Sequence, residues 1–192
     1  MASAAYSLYG RLSKRIEELR ALCKEAGRSE TQESIYRACL VLTVASLDAY
    51  VHEKAVELYS TALQGPTPPA TKMSTYLGIP AQNLQQTSSL SLIRYRLSFK
   101  TLVFPDKIDE AIEASGVSAA TVWQSIGIDS GSRESRLRNA LQLQVDRRNQ
   151  IAHEGDWDMI DFDFRHISSS HVYDCTKCIS GVVEGLEKNW MM

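Results

Sequence analysis

Apolar positions at the start of the chain fall at helical intervals. Leu8, Leu12, Ile16, Leu19 and Cys23 recur at steps of three and four, which predicts a helix over roughly residues 4–25. Gly27 interrupts it, and Ser29 with Gln32 three residues on forms a capping-box pattern ahead of a second run. From Ile35 to Leu63 the spacing continues through Val51, Ala55, Leu58 and Ala62, and between Ala38 and Val51 the run is apolar on nearly every side. Such a helix belongs at the centre of a bundle. Gly65-Pro66-Thr67-Pro68-Pro69 must end it, because prolines remove donors and restrict the residues before them.

Residues 70–130 are less periodic, with short helices predicted near 88–98, 105–115 and 118–126, the last capped by Ser118. Asp129-Ser130-Gly131-Ser132 is expected to close this stretch and cap a helix whose stripe is Leu137, Leu141, Val145 and Ala152. Gly155 is its natural stop. Asp156 to His166 reads as extended or irregular, and after Ser168-Ser169-Ser170 a last stripe runs through Val172, Cys175, Ile179, Val182, Leu186 and Trp190. With no long strand-like alternation and no internal repeat, the pattern predicts one all-α domain over residues 1–192, with 65–130 an irregular helical insertion.

Composition adds exclusions. Twenty-one Lys and Arg against 23 Asp and Glu leave a net charge of −2, so a globally cationic grip on nucleic acid is excluded while a local basic patch is not. The nearly apolar stretch Ala38–Leu47 is too short to span a membrane, and residues 1–20 carry no apolar signal segment, so the expectation is a cytoplasmic protein with no membrane contact. Four cysteines suit a reduced chain, and Cys175-Thr176-Lys177-Cys178 reads first as buried apolar surface. Nucleotide-cradling glycine loops and the HExxH zinc pattern are missing. Phe104 and the three tryptophans read as packing, with no interleaving of basic and aromatic residues expected to serve single strands.

The informative segment is Asp146-Arg147-Arg148-Asn149-Gln150-Ile151-Ala152-His153-Glu154-Gly155. Arg148 shares the stripe of Leu141 and Val145, where a guanidinium needs a carboxylate, a partner chain or an anionic ligand. A core carboxylate such as Asp48 or Glu53 is the plain answer. Arg147 is turned about 100° away and is expected to be more exposed. Asn149 and His153 share a face at i and i+4, whereas Arg148 and His153 are offset by about 140° on an ideal helix. A long arginine side chain, the helix ending near Gly155, or a second copy of the helix across a two-fold axis would each close that gap.

The string Arg-Arg-Asn-Gln-Ile-Ala-His-Glu-Gly resembles the Arg-Asn-x3-His signature of the HEPN superfamily, and Val41–Tyr50 resembles the long early helix of its RiboL and PSP branch. The resemblance implies a HEPN-like helical bundle that dimerises so that two motifs form one site. It implies a metal-independent endoribonuclease, a toxin or defence effector without cofactor or metal, whose partners are RNA, a second copy and an antitoxin or other protein. Arg148 and His153 are then the catalytic pair, with Asn149 orienting them. Arg147 touches a neighbouring phosphate, and Asp48 supports Arg148. The chemistry is coherent: imidazole takes a proton from the ribose 2′-hydroxyl while guanidinium steadies charge on the phosphorane. Other members are catalytically silent modules that bind RNA, a nucleotide or a protein, which is the alternative the resemblance carries.

Overall fold

The computed structural model describes residues 2–23, 30–65, 69–84, 86 and 89–191. Along these run α1 (Ala4–Ala21), α2 (Glu30–Gln64), α3 (Ala70–Leu77), α4 (Ala81–Leu84), α5 (Ser89–Leu97), α6 (Pro105–Ala114), α7 (Ala119–Asp129), α8 (Glu134–Glu154) and α9 (Ser169–Asn189). The only strands among the described residues are β1 (Trp157–Asp158) and β2 (Asp163–Phe164), paired antiparallel with Trp157 opposite Phe164. The described residues form an all-α bundle, as the periodicity requires. The expected Ser29 cap and most of the proline-rich loop lie outside the described residues.

The spine is α2, which packs against α1, α5, α6, α8 and α9. Its nearly all-round apolar stretch explains this: Leu40, Val44, Leu47, Tyr50, Val51 and Tyr59 are all buried, and a helix apolar on several faces must be covered on several faces. Polar residues within it satisfy themselves, Thr43 Oγ1 donating to Cys39 O at 2.8 Å and Ser46 Oγ to Thr43 O at 2.7 Å. By length and composition α2 could cross a membrane, which the 38–47 stretch alone does not suggest; 44% of that apolar window is buried inside the bundle.

Residues 70–130 are better knit into the bundle than an insertion implies. Ile108, Ala111, Ile112, Val122, Trp123 and Ile126 join the same buried cluster as Leu47 and Leu186. Trp123 Nε1 donates to Asp109 at 2.7 Å and Trp190 Nε1 to Ser115 Oγ at 3.0 Å, so two of the three tryptophans are packed as expected, each with its one donor satisfied. Trp157, in the hairpin, is 37% exposed. Ser118 caps α7 as predicted, its Oγ accepting from Thr121 N, but α8 begins at Arg133 with no side-chain cap, and Ser130 Oγ closes on Ile126 O at the end of α7.

Glu187 ties the chain's two ends to the spine. Its Oε1 accepts from Ser3 N at 3.0 Å, and its Oε2 from Ser3 Oγ at 2.9 Å, Tyr50 Oη at 3.1 Å and the buried Lys54 Nζ at 2.9 Å. Burial pushes this carboxyl up, but the hydrogen bonds from Lys54 and Ser3 outweigh it and hold it below the ordinary value. A carboxyl with a lowered folded-state pKa contributes stability that is complete above its unfolded value and is lost as pH falls through the folded one. Glu187→Gln is therefore expected to flatten the acid limb of the stability curve below pH about 4.5. Urea midpoints between neutral and acid pH would measure this, and a variant curve parallel to the parent's would contradict it.

Candidate functional site

The last two turns of α8 carry the motif, and the chain just beyond them decides which arginine does what. Gly155 takes the left-handed conformation at φ 66°, and Asp156 lies in the same region at φ 62°, a costly position for a residue with a side chain. Two left-handed residues in sequence fold the chain back over the end of α8. Asp156 N donates to Gln150 O at 3.1 Å, and Asp156 O accepts from Arg165 N at 2.9 Å, so the backbone is pinned on both sides.

The Asp156 carboxylate is fully buried. Arg147 grips it with both terminal nitrogens, Nη1 on Oδ1 and Nη2 on Oδ2 at 2.9 Å. Arg37, from the start of α2, donates Nε to Oδ2 at 2.6 Å and Nη2 to Arg165 O at 2.9 Å, while its Nη1 reaches Glu33 at 3.2 Å. The Arg37 guanidinium also lies 5.3 Å from the Phe164 ring centre. One buried carboxylate thus joins α2, α8 and the hairpin, and two forked cations satisfy it. Arg165 completes the cluster by donating to Glu154 at 3.1 Å and facing Asp158 at 3.4 Å.

This arrangement revises the sequence expectation for Arg147, which is anchored inward instead of turned to solvent. Helical phase places Arg147 on the expected side; the returning chain beyond Gly155, which phase cannot see, brings the carboxylate to that side. Arg148 is half-buried and donates Nη1 to Asn149 Oδ1 at 3.0 Å, with no carboxylate partner among the described residues. His153 is exposed on the last turn and makes no hydrogen bond or ion pair among the described residues. The structure therefore joins Arg148 to Asn149 by a hydrogen bond and leaves His153 with no hydrogen bond to either among the described residues.

Asp48 does not hold Arg148. Its Oδ1 accepts from Leu102 N at 2.6 Å and lies 3.7 Å from His52 Nδ1, because the turn after α5 packs against that part of α2. Glu53, the other carboxylate considered, pairs with Arg94. Arg37 and Asp156 are the residues sequence reasoning missed. Their only signals are an acid directly after the helix-stopping glycine and a lone cation at the edge of an apolar run. The Cys175-x-x-Cys178 pair behaves as apolar surface: burial pushes the thiols up to about 12 and about 11, away from the reactive thiolate. Among the described residues no cluster of three or more His, Cys, Asp or Glu is placed to hold a metal.

A family model described as RiboL-PSP-HEPN matches residues 11–188. No curated protein and no solved structure matches the chain.

Removing Asp156 leaves two guanidiniums facing each other with nothing between them. Asp156→Ala is expected to lower stability by about 3–5 kcal/mol, the scale for breaking a buried ion pair from one side. Urea unfolding would measure it. A loss under about 1 kcal/mol, the scale of a surface pair, would show that the cluster does not organise the site.

Proposed function

Because the chain belongs to the RiboL-PSP-HEPN family, we propose that it is a metal-independent endoribonuclease acting as a toxin or defence effector, with RNA cleaved at a site shared by two copies. The observation that carries this reading is the division of labour between adjacent arginines: Arg147 is consumed by Asp156, whereas Arg148 keeps an uncompensated charge in a half-buried position beside Asn149. A cation left so placed is suited to an anion that arrives with the substrate.

Cleavage then needs the side chains alone. Imidazole of His153 accepts the ribose 2′-hydroxyl proton, the 2′-oxygen attacks phosphorus, and the bond to the 5′-oxygen breaks as the second copy's imidazole protonates that oxygen. Arg148 holds the non-bridging oxygens while charge builds on them, and Asn149 fixes the guanidinium's plane. Arg147 positions the end of α8 through Asp156 in this reading, which replaces the direct phosphate contact expected of it from the sequence. The products are a 2′,3′-cyclic phosphate and a 5′-hydroxyl.

Incubation with total RNA and defined transfer RNAs in EDTA tests the proposal. Wild-type protein should cleave, His153→Ala should not, and Arg148→Ala should slow single-turnover cleavage by roughly two to three orders of magnitude, the scale for one preorganised transition-state donor. A 2′-deoxy nucleotide at the scissile position should block the reaction. Binding without cleavage would instead place the chain among the silent modules, and products with 3′-hydroxyl and 5′-phosphate ends would overturn the mechanism.

The shared site has its own test. Light scattering at tens of micromolar should find a dimer, because His153 and Arg148 are offset by about 140° on one helix and share no hydrogen bond among the described residues. A strict monomer, unchanged by added RNA, would rule out the composite arrangement.

A further inference from the structure

The end of α5 and the turn after it carry Arg94-Tyr95-Arg96-Leu97-Ser98-Phe99-Lys100, an interleaving of cations and aromatics that corrects the expectation that the chain has none. Ile93 and Leu97 point into the core, so the helical phase throws Tyr95 outward, and Phe99 joins it from the turn. Tyr95 is 59% exposed and Phe99 71% exposed, and their rings meet edge to face with centroids 5.0 Å apart.

The turn that presents them is clamped. His52, on the spine, places Nε2 at 3.0 Å from Leu97 O and 3.1 Å from Lys100 O, and Nδ1 at 2.7 Å from Asp48 O. Arg96 donates Nε to Leu77 O at 3.1 Å and Nη2 to Gly78 O at 2.5 Å, and Asp48 takes Leu102 N. The backbone that presents two large exposed rings is thus fixed, which favours a preorganised binding surface.

Charge indicates what the surface receives. Arg96 and Lys100, next to Tyr95 and Phe99 in sequence, have no carboxylate partner among the described residues; Arg96 rests on the Leu77 and Gly78 carbonyls and Lys100 Nζ lies 4.1 Å over the Tyr76 ring. The hairpin tip is the comparison: Met159, Ile160 and Phe162 are exposed there too, but they alternate in sequence with Asp158, Asp161 and Asp163, which would repel a phosphate backbone. Aromatic faces between cations match stacked bases between phosphates.

We propose that the Tyr95–Phe99 pair is a stacking platform for single-stranded RNA, with Arg96 and Lys100 contacting the backbone, a second RNA subsite apart from the motif. The inference rests on the reading of RNA as substrate. Arg37 and Glu53 lie 16 residues apart on α2, about 24 Å along its axis at 1.5 Å per residue, so only a strand longer than a dinucleotide could touch both the motif and the platform.

Fluorescence anisotropy with a labelled 12-nucleotide oligouridylate, in the His153→Ala protein so that the strand stays whole, tests it. Adding Tyr95→Ala and Phe99→Ala together should weaken binding at least about 10-fold without changing its salt dependence, because bases and not phosphates lose their contact. Tyr95→Trp should keep the affinity, and Lys100→Gln should reduce the salt slope by about one phosphate. Both aromatic side chains are exposed, so circular dichroism should be unaltered. Unchanged affinity of the double variant overturns the platform, and so does unchanged affinity with an altered mass in light scattering, which would make the patch a protein contact. Cleavage of a dinucleotide by otherwise wild-type protein separates the two readings. If it proceeds equally with and without the aromatic pair while long-strand affinity is unmoved, only the platform fails; if no RNA is cleaved yet the double variant binds weakly, only the nuclease reading fails.

Discussion

A buried carboxylate cannot stand alone, and the surroundings of Asp156 are built to that rule. Two guanidiniums and two backbone hydrogen bonds are gathered onto one residue, and each arrives from a different part of the chain: Arg147 from α8, Arg37 from α2, and the Arg165 backbone from beyond the hairpin. The left-handed backbone at Asp156 costs on the order of 1–3 kcal/mol, and it persists only because charge-assisted bonds to the carboxylate offset it. The same interaction sets the chemistry next door. Once Arg147 has a partner, the adjacent Arg148 is left with an uncompensated charge, so a structural ion pair creates the electrostatic difference between two residues of one type.

The spine helix carries this order across the molecule. Arg37 near its start joins the motif cluster, His52 and Asp48 in its middle clamp the turn after α5, and Tyr50 and Lys54 hold Glu187 from the last helix. A helix of 35 residues is about 52 Å long, enough to reach three sites, and its buried hydroxyls close on its own carbonyls instead of needing other partners. The family match from residue 11 to 188 covers all of these contact points except Ser3, which seals the chain's beginning onto Glu187.

Local regularities are legible in the sequence and long-range pairings are not. Spacing at three and four marks the helices, Gly155 marks the end of α8, and the apolar run from Ala38 marks the central helix, because each is a property of neighbouring residues. The Arg37–Asp156 pair spans 119 positions, and no periodicity points from one to the other. Asp48 and Glu53 look available to Arg148 only as long as the α5 turn that occupies them has no place in space. The string from Arg94 to Lys100 is visible in the sequence, but helical phase alone does not reveal that Tyr95 and Phe99 stay in solvent. Periodicity also undercounts the helices between residues 70 and 100 for a related reason, since short helices such as Ala81–Leu84 are made by packing more than by their own propensity.

The end of α8 also constrains how a reaction at this site can be assembled. Reaction at one phosphate needs a base and a cation within hydrogen-bond reach of the same atoms. Here the two are five residues apart on one helix, an offset of about 140°. The helix cannot unwind or extend to remove that offset, because the left-handed turn and the Asp156 cluster lock its last residues to α2. Any rotation large enough to swing His153 toward Arg148 would pull Arg147 off a buried carboxylate. In the proposed reaction, convergence comes from outside the single chain, either from a second helix end facing the first or from a substrate long enough to touch both side chains where they stand. A second copy is the better solution physically, since it leaves the buried cluster intact in each chain and adds a base to one cation without moving either.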